Sequence, residues 1–133
     1  MQKARPGSNV PVLFFIFGGE FKYGNPSKEG PEFIMSREII LVTVSYRLGV
    51  LGFMSAGDAV LPGNMALKDQ TLAMKWTREN IHNFGGDPRR ITLFGHSSGS
   101  MCVHMHTFSP LSKGFEIIFC LLNRLMRCIW TFI

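Results

Sequence analysis

Apolar residues gather in three runs along the chain, the first of them continuous. They are residues 11–17 (Pro-Val-Leu-Phe-Phe-Ile-Phe), residues 39–46 (Ile-Ile-Leu-Val-Thr-Val-Ser-Tyr) and the shorter Ile91-Thr92-Leu93-Phe94. Runs rich in aromatic and β-branched residues suit strands covered on both faces. Gly18-Gly19 stop the first run and Gly95 ends the third. Between the second and third the period changes. Leu67, Thr71, Met74 and Ile81 recur near three- and four-residue spacings, with Leu72 and Trp76 widening the apolar face. That predicts a helix over 66–84, ended by Gly85-Gly86 and Pro88. Pro31 to Arg37 predicts a short helix, and Ser98 to Thr107 a further one stopped before Pro110. Strand and helix alternate, so the expected fold class is α/β, with central parallel strands and right-handed crossover helices.

Composition narrows the picture without changing it. A chain of 133 residues with 46% hydrophobic and 17% charged residues has the makings of a folded core and is not a disordered chain. The net charge of +5 is dispersed, with Arg89-Arg90 as the one adjacent basic pair, so no nucleic-acid partner is expected. Three cysteines (Cys102, Cys120, Cys128) form neither a disulfide framework nor a C-x-x-C pair, and no metal spacing is present. Residues 1–8 lack the apolar stretch of a signal peptide, which leaves the destination of the chain unassigned. Residues 115–133 read as a separate apolar tail. Its Arg124 and Arg127 argue against a spanning helix, and lying on a membrane surface is the minor alternative.

The chemistry concentrates after the third run. Gly95-His96-Ser97-Ser98-Gly99 matches G-x-S-x-G, and here it directly follows a predicted strand and opens a predicted helix. That is the setting of a nucleophile elbow: a turn so sharp that flanking glycines are needed, holding a serine hydroxyl above the sheet. The bland reading is a serine cap after a tight turn. Phe17-Gly18-Gly19-Glu20-Phe21 also follows a strand, and its backbone N–H groups are candidate donors to an oxyanion.

Several stretches resemble the type-B carboxylesterase and cholinesterase branch of the α/β-hydrolases. They include Pro11 to Phe21, Ser45 to Phe53, Pro62-Gly63-Asn64, Leu67-Lys68-Asp69-Gln70, Phe84 to Pro88, Phe94 to Gly99 and Ser109 to Gly114. His96 and Val103-His104-Met105-His106 look most like arthropod general esterases. The resemblance covers about residues 10–114 and implies a partial α/β-hydrolase domain over 1–114, followed by the divergent tail 115–133. It implies hydrolysis of a small-molecule carboxylic ester through an acyl-enzyme, with no metal or organic cofactor. It carries over Ser97 as nucleophile, the N–H groups of Gly19, Glu20 and Ser98 as oxyanion hole, and Arg47 with Asp69 as a buried structural ion pair. Members of the family are commonly secreted or lumenal.

Two departures stand out. The family usually has a third glycine where Glu20 stands, and His or Tyr where Phe17 stands. In α/β-hydrolases an acid and then a His follow the nucleophile. Here the one acid after Ser97 is Glu116, and no His follows it. His104 and His106 lie roughly 10 and 14 Å down the next helix, and His82 is expected at the opposite edge of the sheet. The chain is therefore expected to be inactive by itself, a central slice of a domain with both outer strand edges bare and prone to aggregate. The alternative reading is a non-catalytic cholinesterase-like adhesion or binding module.

Overall fold

The computed structural model describes residues 5–27 and 38–117. The three apolar runs become β1 (Val10–Ile16), β2 (Ile40–Thr43) and β3 (Gly86–Gly95), and a two-residue strand β4 (Glu116–Ile117) follows. They form one sheet in the order β2-β1-β3-β4, every neighbouring pair parallel. β1 is thus central. Its Phe14 pairs with Val42 on one side and Leu93 on the other, and its Val12, Phe14, Phe15 and Ile16 are all buried.

Three helices complete the described fold: α1 (Gly49–Phe53), α2 (Met65–Asn80) and α3 (Ser98–Phe108), with a 3-10 turn at Ile81–Phe84 closing α2. The steps from β2 to β3 and from β3 to β4 cross the sheet in the same direction. Right-handed crossovers therefore put α2 and α3 on one face. Ala66, Met74, Ile81, Cys102 and Val103 pack there with Ile91 and Leu93.

Several expectations shift. β3 starts at Gly86, five residues before the apolar run, and takes in Pro88. The pairing slips at that point: β3 advances from Gly86 to Ile91 while β1 advances only from Val10 to Val12. Proline is tolerated in such a bulge because no ladder hydrogen bond is asked of it. The Asp87 carboxylate accepts the Arg89 N–H at 2.9 Å in the same stretch. β2 covers only 40–43 of the expected 39–46, since beyond Thr43 the chain leaves the ladder and Tyr46 turns toward Phe17. Leu72 and Trp76 do not join the buried face of α2 and are 69% and 54% exposed. The helix turns Ala66, Gln70, Met74 and Thr77 inward instead. At about 100° per residue, positions 72 and 76 fall on the other side. They line a groove of about 480 Å³ beside β2 with Val42 and Val44.

The outer edge of β3 is not bare. β4, inside the segment 115–133, pairs through Thr92↔Glu116 and Leu93↔Ile117. Along β2, no second partner strand occurs among the described residues. The helix expected over Pro31 to Arg37 and the tail from residue 118 lie outside the described residues.

Candidate active site

β1 and β3 are parallel neighbours, so their C-terminal ends emerge side by side, and the two glycine motifs meet there. On β3 the chain turns from strand to helix within two residues, at His96 and Ser97. Ser97 pays for the sharpness with φ 54 and ψ −123, a conformation that costs an ordinary residue roughly 1–3 kcal/mol. The turn is held from both sides. His96 N–H donates to Ile16 O (3.4 Å), Gly99 N–H to His96 O (2.9 Å) and Ser100 N–H to Ser97 O (3.0 Å). Gly99 is required by contact: a Cβ there would run into Ile16 O and sit 2.6 Å from Phe17 O. Ser97 itself is exposed while Ser98, Gly99 and Ser100 behind it are buried. Ser98 opens α3, so its N–H lacks an intrahelical acceptor and is open to an anion.

The loop after β1 presses on this turn. A Cβ on Gly18 would run into His96 O and come within 2.9 Å of Ser97 Cβ, so glycine lets the two backbones touch. Gly19 has φ 133, and Glu20 and Phe21 follow with φ 54 and 61. Gly19 O accepts the N–H groups of Lys22 (2.9 Å) and Tyr23 (3.1 Å), and Phe21 O accepts that of Gly49 (2.6 Å). The buried Tyr46 hydroxyl donates to Phe17 O at 2.6 Å, and its ring stacks on Phe17 at 4.6 Å. Burial raises the Tyr46 phenol above its ordinary value, so the hydroxyl stays a donor. Sequence reading missed Tyr46 as a support of this loop. Its sole signal was a tyrosine ending an apolar run where a strand face would take an aliphatic residue.

Arg47 and Asp69 form a two-pronged pair: Nη2 to Oδ1 at 2.6 Å and Nε to Oδ2 at 2.8 Å, with the Arg47 N–H also donating to Oδ2 at 3.1 Å. The guanidinium holds the Asp69 carboxyl below its usual range. The expectation of burial needs correction, because the two side chains are 50% and 25% exposed. Beside Tyr46 in sequence, the pair ties this stretch to α2 and away from the elbow.

His106 is packed into the core. His106 is buried, 2% exposed, between Gln70 Oε1 (2.9 Å from Nε2) and Ser112 Oγ (2.8 Å from Nδ1). An amide oxygen accepts, so Nε2 carries the proton and Nδ1 accepts from Ser112. His104 is exposed and edge-on to Phe108. His82 sits in the turn before β3, which runs alongside Val10 to Ile16 of β1 and so separates it from Ser97 by about 20 Å. Among the described residues no cluster of three or more His, Cys, Asp or Glu side chains could hold a metal ion.

Burial lowers the His106 pKa from 6.5 to about 4. The unfolded chain then takes up the proton first as pH falls. Stability from a neutral His106 is whole above pH 6.5 and is lost progressively down to about 4, a fall of roughly 3 kcal/mol. Urea midpoints at pH 7.5 and 4.5 should show it, and His106→Asn should flatten the dependence. Asp69 adds its loss only lower, below the ordinary carboxyl value of 3.8.

Comparison with known proteins bears on this geometry. A family model described as the carboxylesterase family matches residues 1–119. The chain is 50% identical over 107 residues to a carboxylic ester hydrolase of Bombus ignitus, covering 80% of this chain and 19% of that one. It is 51% identical over 107 residues to juvenile hormone esterase of Tribolium castaneum, covering 79% and 18%. The crystal structure of juvenile hormone esterase from Manduca sexta, with OTFP covalently attached, superposes with TM-score 0.79 at 39% identity over 84% of this chain and 21% of that one. The chain thus spans about a fifth of the length of the curated relatives it matches.

Proposed function

We propose, since the chain belongs to the carboxylesterase family, that it carries the nucleophilic half of a carboxylic-ester hydrolase acting on small-molecule esters. The observation that carries this is the backbone of Ser97. Its strained φ 54, ψ −123 lifts an exposed hydroxyl out of a strand-to-helix turn against which a glycine loop is pressed. In this reading Ser97 Oγ attacks the ester carbonyl, and its proton passes to a base. The N–H groups of Gly19, Glu20 and Ser98 receive the negative charge that develops on the carbonyl oxygen. The alcohol leaves, and water releases the acyl group from Ser97. Arg47 and Asp69 serve as scaffold.

Neither His106, buried in its own network, nor His82, at the far end of β3, supplies the base. The 133-residue chain alone is therefore expected to turn over no chromogenic short-chain ester above the level of its Ser97→Ala variant. In the whole protein, a fluorophosphonate probe should label Ser97. Absence of labelling there would sink the reading and favour a non-catalytic binding module.

Glu20 should weaken the site. Its exposed carboxylate stands on the loop whose N–H groups must welcome a negative charge. Glu20→Gly in the whole protein should raise kcat/KM about threefold, the small effect an exposed charge retains in water. An unchanged kcat/KM would show that the side chain is fully screened.

A further inference from the structure

We propose that the side chain of Ser98 is a positioning residue, its hydroxyl fixing the loop from Gly18 to Phe21 at a set distance from the elbow. The proposal deepens the reading of Ser97 as nucleophile and rests on it for its catalytic consequence.

The loop needs such a hold. Glu20 and Phe21 both sit in the left-handed region, which costs a non-glycine residue roughly 1–2 kcal/mol each. A bulky residue stays there only where its surroundings leave no alternative. Most of the contacts described above tie the loop to itself or to residues 46–53. Gly19 O takes two N–H groups from its own turn, Phe21 O takes the Gly49 N–H, and Phe17 O takes the Tyr46 hydroxyl. The Phe21 ring also meets Phe53 edge-on at 5.1 Å. None of these restrains the gap between the loop and Ser97.

Two other contacts do. Gly18 against His96 O and Ser97 Cβ sets how near the loop can come. The Phe21 N–H donating to Ser98 Oγ at 3.3 Å sets how far it can retreat. Ser98 is suited to the task because it is 4% exposed, so water competes poorly for its hydroxyl. It is also the first residue of α3, rigidly joined to the serine it follows. One residue then links all three candidate oxyanion donors. Its own N–H is one, and its side chain restrains the loop that carries the N–H groups of Gly19 and Glu20. Donors of this kind act only when held at the right separation before the charge appears.

Amide hydrogen exchange on the 133-residue chain tests the contact. In Ser98→Ala the Phe21 amide should exchange at least tenfold faster, while Phe14 and Ile16 within β1 keep their rates. Ser98→Thr, which retains a hydroxyl, should restore most of the protection. An unchanged Phe21 rate overturns the proposal. So does an acceleration shared equally by β1, which would mean general loosening. In the whole protein, Ser98→Ala should lower kcat about tenfold or more with KM within twofold, and unchanged kcat would also overturn it. Fluorophosphonate labelling of Ser97 separates the two ideas. If Ser97 takes no probe yet Phe21 responds as expected, the nucleophile reading fails and the positioning contact stands.

Discussion

Replacing Ser97 by Ala in the whole protein is expected to abolish capture of a fluorophosphonate and to cut ester turnover by roughly four to six orders of magnitude. The size follows from the role: no other atom of the elbow can form the acyl bond, and what survives is the help given by backbone donors and substrate binding. The fold should not suffer. The Ser97 side chain is exposed, and the structural hydrogen bonds at that position run through its carbonyl to Ser100 and Met101 at 3.0 and 3.3 Å. Alanine keeps that carbonyl and bears about the same left-handed strain. Unchanged urea midpoints beside lost labelling would therefore assign the defect to chemistry. A labelled Ser97→Ala protein would mean that a different residue reacts.

Gly99→Ala should do the reverse and damage the fold. The added methyl group would occupy the space of Ile16 O and crowd Phe17 O at 2.6 Å. Both are backbone atoms at the end of the central strand, where Ile16 O accepts the His96 N–H and Phe17 O accepts the Tyr46 hydroxyl, so neither can move without breaking a hydrogen bond. Flexible side chains could absorb a methyl group, but paired backbone cannot. A loss of about 3–5 kcal/mol is expected, at the upper end for single substitutions, read as a fall in the urea midpoint or as loss of soluble protein. The same displacement would carry Phe17 and Gly18 away from the elbow. Any folded remainder should thus label more slowly than its folded fraction predicts.

Much of this site could be read from residue order because its parts are backbone devices. A turn that packs strand end against helix start admits only glycine at certain positions, and Gly95 and Gly99 declared themselves for that reason. The central strands were equally plain, since β1 must be apolar on both faces. What stayed hidden was set by tertiary contact. Gln70 and His106 are polar residues turned inward to each other, so neither alone marks a core position. Leu72 and Trp76 are apolar residues on the outer side of α2, beside a groove rather than beneath the helix. Pro88 marks a break in any regular element, yet the bulge lets β3 run through it. The strand at Glu116–Ile117 is too short to announce itself, being defined by its partner Thr92 and Leu93.

The pairing of β1 with β3 also has a consequence in time. The two halves of the site stand next to each other in space but about eighty positions apart in the chain, as Phe15↔Phe94 and Ile16↔Gly95 record. Closing so long a loop is among the slower events of folding. The strained turn at Ser97 has no counterweight until that closure is made. During synthesis, then, the glycine loop emerges first and waits. The serine should adopt its raised conformation only when β3 docks beside β1, so that nucleophile and oxyanion loop come into being in a single late step.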